Sequence, residues 1–222
     1  MKTMKFDAIL FDCDGVLVDS EPLTNQVLRD MLEASGWSMT QAECMAYFVG
    51  KTVREERAEI EARTGQPLTQ DWLNSFYLRR NQALMAGLEV IPGARSAVQA
   101  AHEATQGRIA CASGADRFKV EMQLSKVDLL AFFEGRVFSG HEMPRSKPAP
   151  DVYLAAAGHL NVPGHQCLVI EDTSVGVTAG VAAGATVWAY SPQPAGDAAL
   201  LLAGASQVFR RMDDVPELLA AG

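Results

Sequence analysis

The sequence predicts an α/β protein: a parallel-sheet core with helices on both faces, and a helical domain inserted after the first strand. Two observations carry the prediction. From Ile91 onward, short apolar runs alternate with helical stretches, a pattern that implies a parallel sheet buried on both faces. The earliest apolar run, Ala8 to Phe11, is separated from that series by residues 20 to 87, which show helical periodicity and no convincing strand. A lone strand must find its partners later in the chain. The core is therefore expected at residues 1–19 and 88–222, and the helical domain at 20–87.

Taken in order, Ala8 to Phe11 leads into Asp12, Cys13, Asp14 and Gly15. Side chains alternate along a strand, so a continuation through Asp14 would point Asp12 and Asp14 the same way. Two negative charges about 4 Å apart repel by about 4 kcal/mol at an effective dielectric of about 20. A cation, a shared proton or solvation must relieve that. Gly15 suits a sharp turn, because glycine takes positive φ without penalty.

Pro22 to Ala34 carries Leu23, Val27, Leu28, Met31 and Leu32 at helical spacing, with Gly36 as a stop. Thr40 with Glu43, and Thr52 with Glu55, read as capping boxes opening a second and a third helix. Gln70 to Met85 fits a fourth. The core then resumes with a helix at Ala94 to Ala104, a strand at Arg108 to Ala112 ending on Ser113 and Gly114, and a helix from Asp116 to Ser125. Arg136 to Phe138 reads as strand and Asp151 to Leu160 as helix; Cys167 to Ile170, Ser174 to Ala183 and Thr186 to Ala189 read as strand, helix and strand. A strand at Gln207 to Phe209 and a helix at Val215 to Ala220 close the series. The alanine-rich stretches suit close helix packing, and no internal repeat is visible.

With 48% hydrophobic and 21% charged residues, the 222-residue chain has the material for a packed core. Its net charge of −8 argues against a nucleic-acid footprint, which needs clustered Lys and Arg. No stretch approaches the roughly 18 apolar residues of a membrane span, and the start does not read as a secretory signal. Cys13, Cys44, Cys111 and Cys167 form no C-x-x-C pair, and three lie in apparent strands. Buried, reduced thiols and a cytoplasmic setting are expected.

Ligands of open parallel sheets bind beyond the carboxyl ends of the strands. The polar residues there are Asp12 and Asp14, Ser113, and Glu171 with Asp172, and Lys147 lies in the loop S-K-P-A-P-D. Each has an ordinary structural explanation. A serine after a strand is often a helix cap, a lysine before proline is usually solvated, and acids ahead of T-S-V-G favour a helix start. Their convergence at one mouth suits phosphoryl transfer. Asp12 would attack phosphorus to form an aspartyl-phosphate, and Asp14 would donate a proton and later remove one from water. Ser113 and Lys147 would hold phosphoryl oxygens, Asp12 and Asp172 would bind Mg²⁺, and Glu171 would be a ligand or an orienter.

These segments resemble the haloacid dehalogenase superfamily, in its branch of sugar-phosphate phosphatases and β-phosphoglucomutase. The resemblance rests on D-C-D-G-V-L-V-D-S-E at 12–21, Ser113, S-K-P-A-P-D at 146–151 and E-D-T-S-V-G-V-T-A-G-V-A-A-G at 171–184, and covers nearly the whole chain in order. It implies a Rossmann-like core, a mobile helical cap entered near Ser20 and Glu21, Mg²⁺ among Asp12, Asp14, Glu171 and Asp172, and a small phosphorylated metabolite as substrate. Gly114 stands where the family often has a second hydroxyl, so the phosphoryl contact there would fall to backbone N–H. Thr173 replaces the commoner serine and keeps its hydroxyl. Asp14 favours phosphate esters, because members cleaving carbon–halogen bonds lack an acid at that place.

Substrate choice in the family is attributed to the cap. Here F-V-G-K-T-V-R, residues 48–54, offers Gly50 for close approach and Lys51 and Arg54 for an anionic or hydroxyl-rich substrate. Both cations equally suit a solvated helix start, whereas Arg79 and Arg80 read as surface residues of the fourth helix. The expectation is a monomeric Mg²⁺-dependent phosphatase acting on a sugar phosphate. The alternatives are a phosphosugar mutase using the same core residues, and a binding protein that has lost turnover, against which the intact Asp12, Asp14, Lys147 and Asp172 argue.

Overall fold

Ala8, Ile9, Leu10 and Phe11 form β1 (Ala8–Phe11), and all four are buried. A strand apolar on both faces needs cover on each side, which a central place in a parallel sheet supplies. The computed structural model describes residues 5–48 and 51–221. In it, β1 is joined by β2 (Ile109–Ser113), β3 (Val137–Ser139), β4 (Cys167–Glu171), β5 (Thr186–Tyr190) and β6 (Gln207–Phe209). The order is β3-β2-β1-β4-β5-β6, and every pairing is parallel. Ile9 lies opposite Ile109 on one side and Leu168 on the other. The connections run outward one way through β2 and β3, then the other way from β4. β1 and β4 therefore flank the point of reversal, where open α/β sheets form their crevice.

By contacts the chain divides into a sheet unit, Met1–Val18 with Val90–Gly222, and a helical unit, Asp19–Glu89. The helical unit consists of α1 (Glu21–Ala34), α2 (Gln41–Phe48), α3 (Arg57–Thr64) and α4 (Gln70–Gly87). Its own core includes Leu28, Leu32, Cys44, Ile60, Leu73 and Phe76. Thr40 and Glu43 form the expected capping box, with Glu43 accepting from Thr40 N–H at 2.8 Å and Thr40 Oγ1 from Glu43 N–H at 3.2 Å. Thr52 and Glu55 exchange the same two bonds, yet the chain from 53 to 56 remains a turn and α3 starts only at Arg57. The local signal formed, but the helix did not propagate from it.

Around the sheet lie α5 (Ala94–Ala104), α6 (Arg117–Lys126), α7 (Asp151–His159), α8 (Ser174–Ala182), α9 (Asp197–Leu202) and α10 (Val215–Ala221). Ala156, Ala157, Ala179 and Ala183 pack in one cluster with Leu10, Val169 and Val187, so the alanines do serve close packing. The sequence pattern predicts no helix at α9, a short A-A-L-L-L segment of which only Leu200 is buried. Arg80 overturns another expectation. It is 7% exposed, its guanidinium lies 5.0 Å from the Tyr77 ring centre, and its Nε donates to Asn81 Oδ1 at 3.0 Å. Its neighbours in sequence gave no sign of this, because a long cationic side chain can be buried along an apolar stem.

Cys13, Cys44, Cys111 and Cys167 are free and fully buried. Burial pushes the Cys44 and Cys167 thiols up to about 11, so at pH 8 only about one in a thousand would be thiolate, the reactive form. A thiol-reactive chromogen at pH 8 is expected to label no cysteine within minutes in the native protein and all four in 6 M guanidinium. Prompt native labelling of Cys44 or Cys167 would contradict the burial.

Candidate active site

Asp12 follows the last residue of β1, and its N–H donates to Ile170 C=O at 3.0 Å, which extends the β1–β4 pairing by one step. Asp12 is thereby set beside Glu171, the last residue of β4. Lys147 enters from the loop before α7 and ties the two together. Its Nζ donates to Asp12 Oδ1 at 2.7 Å, Glu171 Oε1 at 2.7 Å, Ala112 C=O at 2.9 Å and the Tyr153 hydroxyl at 2.9 Å. Tyr153, on α7, donates to Glu171 Oε1 at 2.8 Å. All of this is buried, and Glu171 is 1% exposed.

The charges follow from that burial. Desolvation raises the Asp12 carboxyl, Lys147 opposes the rise, and the charges of Glu171 and Asp14 add to it, leaving Asp12 at about 7. Burial would also raise Glu171, but Lys147, the Tyr153 hydroxyl and the Thr173 N–H outweigh it and hold the group below its usual value. Lys147 stays protonated. Desolvation works against its charge, yet Asp12 and Glu171 more than offset it.

The second oxygen of Glu171 accepts from the N–H groups of Asp172 and Thr173 at 3.0 and 3.2 Å, and from Thr173 Oγ1 at 3.2 Å. Thr173 in turn caps α8 by accepting from Gly176 N–H at 3.1 Å, so the departure from serine keeps the hydroxyl in use. Gly176 permits the approach. A Cβ there would lie 1.7 Å from Glu171 Oε1.

Asp12, Glu171 and Asp172 each offer a carboxylate oxygen within 4.8 Å of the others. Asp12 and Glu171 share the ammonium of Lys147, and three carboxylates this close form a set of hard oxygens of the kind Mg²⁺ takes, whose mutual repulsion a divalent cation would relieve. Gly15 makes room for this group. Its φ is +76°, and a Cβ would fall 2.0 Å from Asp172 Oδ2. The donor set therefore fits Mg²⁺.

Asp14 has donors of its own. The strand ends at Phe11 and the chain turns, with Gly15 N–H donating to Val18 C=O at 2.9 Å. Asp14 Oδ1 receives Lys119 Nζ at 2.8 Å and Gln123 Nε2 at 2.9 Å, both from α6, and its carboxylate is not in the three-acid group. The two acids of D-C-D-G thus have separate cationic partners. Lys119, Gln123 and Tyr153 were missed by sequence reading. The signal was a lysine and a glutamine four apart on a helix next to buried Val120 and Leu124, a spacing that puts both on one face.

Ser113 ends β2 and is 1% exposed; its Oγ accepts from Ala115 N–H at 3.0 Å, and the cap of α6 is Asp116 instead. Gly114 follows at the same strand end. In the helical unit, Lys51 Nζ lies 3.3 Å from Glu56 Oε1 and 4.1 Å from the Tyr47 ring centre. Arg54 donates to the Tyr77 hydroxyl at 3.3 Å and to Gln70 Oε1 at 3.4 Å. Gly50 lies outside the described residues.

Comparison with known proteins adds to this geometry. A family model described as haloacid dehalogenase-like hydrolase matches residues 6–184. The chain is 27% identical to a 6-phosphogluconate phosphatase of Escherichia coli K12 over 191 residues, 86% of this chain and 85% of the relative. It is 30% identical to hexitol phosphatase B of the same organism over 179 residues, 79% of each. A crystal structure of a HAD family hydrolase from Deinococcus radiodurans, with bound phosphate and sodium, is similar at a TM-score of 0.80 and 32% identity, covering 98% of this chain and 96% of that one.

Proposed function

This chain belongs to the haloacid dehalogenase-like hydrolases, and on that premise we propose that it is a Mg²⁺-dependent phosphatase of a phosphorylated carbohydrate, working through an aspartyl-phosphate. The relatives named as phosphatases of sugar-derived phosphates support the substrate class. The observation that carries the chemistry is Asp12 at the end of the central strand, bridged by Lys147 to Glu171.

In this reading Asp12 is the nucleophile. Its carboxylate oxygen bonds to phosphorus as the ester P–O bond breaks, and Asp14 gives a proton to the departing sugar oxygen. Asp14 then takes a proton from water as the water oxygen attacks the same phosphorus, the Asp12–P bond breaks and inorganic phosphate leaves. Lys147 supplies positive charge to the phosphoryl oxygens, and Ser113 and the N–H of Gly114 supply donors. Asp12 and Asp172 would hold Mg²⁺, while Glu171, whose two oxygens are both engaged by donors, orients Lys147 and the loop after β4. When bound, the ion neutralises the charge of the acids and the phosphate that would otherwise repel each other. The helical unit is assigned the choice of substrate, with Lys51 and Arg54 as its cations.

The test is a screen of phosphorylated sugars, sugar acids and hexitols with Mg²⁺, recording inorganic phosphate and isomer formation together. Phosphate release is expected, with a loss of at least about 100-fold in excess chelator and recovery on adding Mg²⁺ back. Turnover that persists in chelator would overturn the metal assignment. Isomer formation that needs a bisphosphate activator would point to a mutase instead.

A further inference from the structure

Asp14 sits on the turn after β1, and because the terminal torsion of aspartate is intrinsically broad, its carboxyl group takes its rotation from its partners. Two of these come from α6. Lys119 Nζ and Gln123 Nε2 approach the same oxygen, Oδ1, at 2.8 and 2.9 Å. Both donors are deeply buried, Lys119 at 6% exposure and Gln123 at 0%. Burying an ammonium is costly unless it is paired, so this is a fixed contact and not a passing surface pair.

Gln123 is itself held. Its Oε1 accepts from the Cys13 thiol at 3.9 Å, which directs the amide nitrogen toward Asp14. The α6 backbone is anchored by Asp116, whose Oδ1 accepts from Lys119 N–H at 2.9 Å. The result is a rigid pair of donors, one turn apart on one helix, aimed at one carboxylate oxygen.

We propose that Lys119 and Gln123 are positioning residues for proton transfer, fixing Asp14 so that Oδ1 only accepts hydrogen bonds and the transferred proton travels on Oδ2. The chemistry follows from donor counting. A carboxyl oxygen receiving an ammonium and an amide N–H is the acceptor oxygen of the acid form, so the hydroxyl must be the other one. Proton transfer to a leaving oxygen needs hydrogen-bond reach and alignment, which a freely rotating carboxyl offers only part of the time. The proposal rests on Asp14 being the acid and base of the reaction above.

Lys119→Met and Gln123→Leu, measured on the best sugar phosphate with Mg²⁺, should each lower kcat by about 10 to 100-fold with KM changed by less than about threefold, a part of the 10² to 10⁴ typical of acid–base catalysis. The deciding measurement is the double variant. In an Asp14→Asn background, Lys119→Met should cost less than about twofold, since the group being positioned is no longer a carboxyl. Lys119→Arg, which keeps a charged donor, should recover at least about a third of the lost rate.

A full multiplicative loss in the Asp14→Asn background would overturn the proposal and place Lys119 in phosphate binding or in the fold. So would unchanged kcat in both single variants. Wild-type turnover by Asp14→Asn alone would overturn the acid and base assignment and this proposal with it, whereas absence of phosphate release by the wild-type enzyme would reject the phosphatase reading itself.

Discussion

Asp12→Asn is expected to lower phosphate release by at least about four orders of magnitude while leaving the fold intact. Removing a nucleophile from a machinery that works as a unit commonly costs that much or more. An amide is a poor nucleophile, and it gives up the negative oxygen that Lys147 meets at 2.7 Å. The fold should survive because Asp12 is held through its backbone, by the N–H bond to Ile170 C=O, and because asparagine has nearly the same shape. Burial already disfavours the charged form of Asp12, so neutralising it removes a cost as well as a contact. Steady-state phosphate release, thermal unfolding and acid-quench trapping of phosphorylated protein check this together. A variant with more than about one per cent of wild-type turnover, or one that still traps phosphate on the chain, would place the nucleophile elsewhere.

Lys147→Met should fail in two ways at once. The side chains of Lys147, Asp12 and Glu171 are 8%, 10% and 1% exposed, so methionine would leave two buried carboxylates without their common cation. Removing one partner of such a buried pair typically costs about 3–5 kcal/mol, a large part of the roughly 5–15 kcal/mol that holds a domain together. Urea unfolding without metal should show that loss, and Mg²⁺ should restore part of it by supplying counter-charge. Turnover should fall by at least about 100-fold even where the variant is folded. An unfolding midpoint equal to wild type in chelator would show that the acids are relieved by something other than Lys147.

The sequence made the strand ends legible because apolar runs stop where carboxylates begin. Asp12, Glu171 and Asp172 were found that way, and the structure brings their carboxylates within 4.8 Å of one another. What stayed hidden depends on which element lies beside which. Lys119 and Gln123 belong to a helix that, read alone, is an ordinary mixed-polarity segment; only its packing beside the turn after β1 turns its polar face inward. Tyr153 is similar, since an aromatic at that spacing in an alanine-rich helix reads as core, and only the tertiary fold places its hydroxyl on Lys147 and Glu171. The donors to Asp14 stayed hidden too, because the strand pattern ends at Phe11 and says nothing of what packs beside the turn that follows. The Thr52 box shows the opposite limit, where a local signal formed without its helix.

The place of β1 in the sheet also bears on how the protein is made. Its hydrogen-bonding partners are residues 109–111 and 167–170, so the strand carrying Asp12 must wait for most of the chain before it can pair on both edges. Contacts so distant in sequence make for high contact order, and high contact order for slow folding. The helical unit is continuous from Asp19 to Glu89 and can condense on local contacts while β1 remains unpaired. Asp12, the proposed nucleophile, is thus among the early parts of the described chain to be made and among the last to acquire its surroundings.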